Sequence, residues 1–304
     1  MAIATRAARS SAACATGSEM SRAYTLQGAS VHDIEDETGA VRRLLLFVPP
    51  GEAPAEGWPL LAMTDGNACF GTAVDALRAQ AHYPKGTNVG WGVIAALGYP
   101  TDEAYDPLRR SWDLSPPPGT TYPPFTPNGP DVRTGGADDF RDFIESRVLP
   151  FIATQVPIDP TRRALFGHSF GGLFALHTLF TRPSLFQTII AASPTIYWED
   201  CGLLATEARA DFDMAIRPSV HLSAGEHEGD RLAPFQETQD DAMERLEKLR
   251  KARTILYAQE MAARLARPEG ANLHTSFELF AGETHMGVPT PALGRAIQIA
   301  FKLK

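Results

Sequence analysis

Cysteine is scarce. Cys14, Cys69 and Cys201 stand far apart in a chain of 304 residues. With no C-x-x-C pair and no Cys/His set at ligand spacing, neither a disulfide framework nor a zinc site is expected. The low count fits a reducing compartment. Positive charge is also short: 28 Lys and Arg against 36 Asp and Glu leave a net charge of −8. No basic face is evident, which disfavours nucleic acid as a partner. Long apolar runs are missing, since nothing approaches the roughly eighteen residues of a membrane-spanning helix. There is no internal repeat and no low-complexity tract. What remains is 44% hydrophobic and 21% charged, the composition of a soluble globular protein. The length suits one large domain or two small ones, with room for a substantial core.

Residues 1–19 are rich in Ala, Ser and Arg but lack a continuous apolar stretch, so a secretory signal is not expected. An Arg/Ser-rich, acid-poor start is similar to an organellar transit peptide. The plainer reading is a disordered tail over residues 1–21, or a start at Met20. A single globular domain is then expected over 22–304. The compartment is read as cytoplasmic, with the periplasm as the alternative.

Along the chain, Arg22–His32 and Val41–Val48 read as strands joined by an Asp/Glu/Gly turn. Pro59–Thr64, Trp91–Leu97, Arg163–Phe166, Thr188–Ala192 and Val220–Ala224 are short apolar runs, and Thr275–Phe280 alternates. Between them, Asp138–Val156, Leu173–Phe180, Asp240–Leu265 and Pro291–Phe301 read as helical. Short apolar strands separated by helices predict an α/β protein: a doubly wound, mostly parallel sheet with helices on both faces. Residues 99–136 hold nine prolines and show no periodicity, so an ordered loop with neither helix nor strand is expected there. A loop that long inside a compact domain is usually functional.

The sharpest signal is Gly167-His168-Ser169-Phe170-Gly171-Gly172, which fits G-x-S-x-G. Ala164-Leu165-Phe166 precedes it as a strand, and an apolar helix follows. That context puts the serine on a sharp, strained turn, with flanking glycines letting strand and helix approach. Its Oγ then stands above the sheet at a helix N-terminus, where negative charge is favoured. This is the nucleophile turn of the α/β-hydrolase fold, whose chain order is Ser, acid, His. Of the histidines downstream, His177 and His221 lie inside a predicted helix and strand. His285 sits on a loop between the last strand and the last helix, where it can reach over the sheet to Ser169. The acid should follow Val220–Ala224, in Gly225-Glu226-His227-Glu228-Gly229-Asp230. In this fold it often lies three residues beyond a glycine that ends the strand, which selects Glu228; Glu226, Asp230 and a Ser–His pair with no acid stay open. His227 and these carboxylates, adjacent on one loop, are not a metal-ligand set. An oxyanion hole needs two backbone N–H groups. Phe170 should give one, and Asn67, in Thr64-Asp65-Gly66-Asn67-Ala68, the other.

With these residues in place, the chain resembles the esterase D-like putative-esterase family. Within that family it is most similar to esterases of trilactone catecholate siderophores. The resemblance covers about residues 22–303. It rests on Asp65-Gly66-Asn67, Arg110–Pro116, Gly167–Gly172, Ser193-Pro194-Thr195-Ile196-Tyr197-Trp198, Gly225–Glu228 and Gly282–His285. It implies hydrolysis of carboxylic esters through an acyl-enzyme, with no cofactor or metal. It also implies a small-molecule ester substrate, of which an iron-siderophore is one candidate. Arg110 matches an arginine beside the family's active site, fit for an anionic ferric catecholate; an Arg110–Asp113 surface pair is the alternative. Trp198 is either an aromatic wall for catechol rings or a packed core residue. A carboxylesterase or thioesterase for small acyl groups, an acyltransferase, and a non-catalytic binding protein on the same fold are the rival functions.

Overall fold

Unbroken apolar runs settle the middle of the sheet. In chain order the strands are β1 (Ala29–Glu35), β2 (Val41–Phe47), β3 (Trp58–Met63), β4 (Val93–Gly98), β5 (Thr121–Tyr122), β6 (Val132–Arg133), β7 (Ile158–His168), β8 (Thr188–Ala192), β9 (Ser219–Gly225) and β10 (His274–Phe280). They come from a computed structural model that describes residues 23–212, 217–267 and 273–303. The tail expected over residues 1–21, and the alternative start at Met20, lie outside the described residues. β3 and β4 are buried at every position. Strands so placed need cover on both faces. The main sheet runs β1-β2-β4-β3-β7-β8-β9-β10. β1 and β4 are antiparallel to β2, and every other neighbouring pair is parallel.

Helices cover the sheet on both sides, as the alternation of elements predicts. On one face, Val74 and Leu77 of helix Gly66–Ala81 meet Leu293 and Ile297 of helix Pro289–Ala300. On the other, Phe174 and Leu176 of helix Phe170–Thr181 pack with Phe140 of Ala137–Phe143 and Met261 of Thr254–Ala266. Order, direction and two-sided cover together make the α/β-hydrolase arrangement. Ligands in open sheets of this kind bind beyond the carboxyl ends of the strands.

The structure departs from the sequence reading in three places. The first strand begins at Ala29, not at Arg22. Residues 99–136 are not a plain loop: they contain the helix Pro107–Leu114 and the hairpin β5–β6. Proline permits this helix because Pro107 stands at its first position, where no N–H is needed. Asp106 caps it by accepting the Arg109 N–H at 3.1 Å. The helix expected over Asp240–Leu265 is two, Ala242–Ala252 and Thr254–Ala266, broken at Arg253, whose φ is 48°. The helical stretch near Asp138–Val156 is present but passes through a π turn, Ile144–Val148, just before Pro150. Proline removes a donor and crowds the preceding turn, so the chain loosens there.

Candidate active site

Ser169 follows β7 and stands at the N-cap position of helix Phe170–Thr181, with φ 59° and ψ −117°. That conformation is costly for a residue with a side chain and persists only where its surroundings impose it. Here the Ser169 N–H donates to Ala192 O at 3.0 Å, and Ser169 O accepts from Leu173 N–H at 3.0 Å. The glycines are required by contact. A Cβ on Gly167 would lie 2.0 Å from Gly171 O, and one on Gly171 would lie 2.2 Å from Thr64 Oγ1. The turn therefore closes only with the Gly167 Cβ absent, and the missing Gly171 Cβ leaves room for the Thr64 hydroxyl.

The residues named as acid and base converge on this serine. His285, on the loop between β10 and helix Pro289–Ala300, places Nε2 3.0 Å from Ser169 Oγ. Its Nδ1 is 2.5 Å from Glu228 Oε2. Glu228 is only 1% exposed. It follows β9 in a single 3₁₀ turn, Glu226–Glu228, and that turn brings its side chain back over the strand end. Its other oxygen, Oε1, accepts from the Gly225 N–H at 2.8 Å and the Ser193 hydroxyl at 2.5 Å. With Nδ1–H donating to the carboxylate, Nε2 is the free acceptor that faces Oγ–H. The competing carboxylates point elsewhere. Glu226 and Asp230 are exposed, and Glu226 Oε2 accepts from the Gly282 N–H at 2.7 Å, which ties the acid loop to the histidine loop.

Phe170 and Asn67 both stand in the first turn of a helix, where backbone N–H groups have no acceptor within the helix. The Asn67 side chain fastens its own loop: Nδ2 donates to Thr101 O at 2.8 Å, and Oδ1 accepts from Tyr99 N–H at 2.9 Å. Arg110 does not pair with Asp113. It forms a fork with Asp65, Nε to Oδ1 at 2.8 Å and Nη2 to Oδ2 at 2.9 Å. Asp113 instead takes Arg42, at 3.0 and 2.8 Å. The Arg110–Asp113 alternative is thus corrected: the two residues lie on one helix, but their partners come from different strand ends. Arg110 reaches the site as half of a neutral pair and also lies 5.8 Å from the centre of the Phe170 ring. Trp198 is half-buried. It packs edge-on against Phe170 at 4.7 Å and near Tyr122 at 5.2 Å, so it is both packed and at the rim.

Comparisons with known proteins give the family. Residues 36–264 match the family model described as "Putative esterase". The chain belongs to this esterase family. Ferri-bacillibactin esterase BesA of Bacillus subtilis is 31% identical over 94% of both chains. A siderophore enterobactin esterase of Emericella nidulans is 42% identical, over 60% of this chain and 63% of that one. The solved structure of siderophore hydrolase EstB from Aspergillus nidulans superposes with a TM-score of 0.77 at 31% identity, covering 93% of this chain and 98% of that one.

Several groups of this esterase's site escape a reading of the sequence. His168, only a spacer in the motif, lays its ring 4.6 Å from that of His285. Burial, then the neighbouring His285 and Arg110, push its pKa well below the usual histidine value, so the ring is neutral. Thr195 Oγ1 lies 3.3 Å from Ser169 Oγ. Ser193 and Thr195 belong to a stretch noted only for its resemblance. The signal that finds them is positional: they follow the carboxyl end of β8, beside the nucleophile's strand. Of the other histidines, His177 Nε2 donates to Asp138 Oδ1 at 2.8 Å, and His221 Nδ1 meets Ser276 Oγ at 2.8 Å. Among the described residues no cluster of three or more His, Cys, Asp or Glu could hold a metal ion. Among them, too, no helix is long and apolar enough to cross a membrane.

Proposed function

We propose that the protein is a serine esterase that cleaves carboxylic esters through an acyl-enzyme, and that its substrate is an ester siderophore. The observation that carries the chemistry is the unbroken hydrogen-bond chain Glu228–His285–Ser169. In the first step Ser169 Oγ attacks the ester carbonyl while its proton moves to His285 Nε2. The imidazolium is stabilised by Glu228, which keeps the ring in place and is not itself protonated. The oxyanion is held by the N–H groups of Phe170 and Asn67. As the tetrahedral adduct collapses, the C–O bond to the alcohol breaks and His285 hands its proton to the departing alkoxide. Water then attacks the acyl-enzyme, losing a proton to the same nitrogen; as this second adduct collapses the acyl–Oγ bond breaks, His285 returns the proton to Ser169 Oγ, and the acid leaves.

The substrate reading is supported by the similarity to BesA along 94% of both chains. The rim of Phe170, Trp198 and Tyr122 offers flat apolar surface to an aromatic acyl group. The test is incubation with a tri-catecholate trilactone, apo and ferric, with Ser169→Ala as control and products followed by mass spectrometry. Release of linear trimer, dimer and monomer is expected, and loss of Ser169 lowers the rate by roughly 10⁴-fold or more. An intact trilactone with continued labelling of Ser169 by a fluorophosphonate would remove the siderophore and keep the serine esterase. Absence of labelling would remove both and leave a binding protein.

A further inference from the structure

The segment Ser193–Trp198, which leaves β8, meets all three parts of the site. Ser193 touches the acid, Thr195 the nucleophile, and Trp198 the residue beside the nucleophile. Ser193 is the least expected of these. It is fully buried, at 0% exposure, and its φ is 44°. That region disfavours any residue with a Cβ and suits glycine. The backbone is pinned there by the Ser193 N–H, which donates to Ser223 O at 2.7 Å. A serine at a glycine-like position keeps a hydroxyl in a place where a bare backbone would be relaxed. That hydroxyl donates to Glu228 Oε1 at 2.5 Å.

Rotation about the last bond of a glutamate side chain is soft, so its own rotamer preferences do not fix the carboxylate plane. In Glu228 hydrogen bonds must fix it. Oε1 has two donors, the Ser193 hydroxyl and the Gly225 N–H, and Oε2 has His285 Nδ1–H. Without the hydroxyl, the amide alone would orient Oε1 of a carboxylate that is almost wholly out of water.

We propose that Ser193 is a positioning residue for ester hydrolysis, holding Oε1 of Glu228 so that Oε2 faces His285 Nδ1. The proposal rests on the reading of Ser169, His285 and Glu228 as the catalytic set. Ser193 lies beneath the site and offers no surface to substrate, so it acts on turnover and not on binding.

The test uses the full chain with p-nitrophenyl butyrate as substrate, and compares Ser193→Ala, Ser193→Gly, Glu228→Gln and Ser169→Ala. Ser193→Gly is decisive, because glycine adopts φ 44° without strain, which offsets the stability lost with the buried hydrogen bond. In both Ser193 variants kcat falls about tenfold, equivalent to about 1.4 kcal/mol, with KM within twofold. The far-downfield proton resonance of His285 Nδ1–H, visible in the parent, shifts or broadens in both and is lost in Glu228→Gln. A Ser193→Gly enzyme with parental kcat and an unmoved resonance would overturn the proposal while an inert Ser169→Ala leaves the esterase reading intact. A Ser169→Ala protein that turns over ester at the parental rate would overturn that reading and the proposal with it.

Discussion

Gly171 shows how little freedom a single residue has at the nucleophile turn. A Cβ there would lie 2.2 Å from Thr64 Oγ1, and Thr64 follows β3, directly before the loop that carries Asn67. Gly171→Ala crowds the Thr64 hydroxyl between helix Phe170–Thr181 and the end of β3, beside the Phe170 N–H. Overpacking of this kind costs about 1–3 kcal/mol, and a displacement near 1 Å at a reacting group costs about 10²-fold in rate. The expected outcome is a folded protein with a lower denaturant midpoint and kcat reduced about 10²-fold. Denaturation and ester turnover on one preparation check it. Gly86, exposed, without a positive φ and with no atom near its Cβ position, supplies a surface control for the packing effect.

At the scale of elements, the helix Pro107–Leu114 is locked to the sheet by two buried ion pairs that reach different strands, Arg110–Asp65 and Asp113–Arg42. The first bears on the proposed oxyanion hole because Asp65 begins the loop that carries Asn67. Burial works against the Arg110 charge, but the Asp65 carboxylate outweighs it and holds the guanidinium protonated. Removing one partner strands the other: Arg110→Ala leaves a carboxylate of 3% side-chain exposure unpaired, at a cost of about 3–5 kcal/mol. The double variant Arg110→Met/Asp65→Asn should recover most of that loss. A double-mutant cycle by urea unfolding reads the difference, and equal losses in the single and double variants would contradict the pairing. The helix break at Arg253 gives a prediction of opposite sign. At φ 48° its side chain is a burden, so Arg253→Gly should raise stability by about 1 kcal/mol, read as a higher denaturant midpoint with unchanged turnover.

Across the whole molecule, three buried histidines set the response to acid. Burial, ahead of every other influence, pushes the pKa of His168, His177 and His221 below the usual value. All three are neutral in the fold, and unfolding returns them to about 6.5. Below that pH the unfolded chain binds protons that the folded chain does not. Stability therefore falls as pH drops from about 6.5 towards the folded-state values, by at most about 1.4 kcal/mol per pH unit for each histidine. The carboxylates act later. For Asp36 and Asp138 burial opposes ionisation, but their hydrogen bonds and cationic neighbours prevail and keep both pKa values low. Their contribution is present above about pH 4 and is lost only as pH falls below that. Urea midpoints at pH 7.5, 6.5 and 5.5 should decline, and His221→Gln should flatten the slope. Midpoints independent of pH over this range would show that these rings bind protons in the fold as readily as in the unfolded chain.

The sequence by itself determined the alternation of strands and helices, and hence the two-sided sheet. It also determined the position of Ser169, because G-x-S-x-G describes a local turn whose glycines are read directly. The loop of His285 and the acidic run around Glu228 were legible as places, since both follow strands. The spacing from Gly225 favours Glu228 but does not by itself decide which carboxylate faces the histidine. Glu226 and Glu228 are alike as residues, and only the 3₁₀ turn after β9, docked against the Ser193 hydroxyl, buries one and exposes the other. The partner of Arg110 was hidden for the same reason. Asp113 stands three residues away in the chain, Asp65 forty-five, and packing of Pro107–Leu114 against the sheet joined the distant pair. His168, Thr195 and Ser193 have no motif that marks them. Their roles arise because neighbouring parallel strands end side by side, a proximity that long-range packing alone creates.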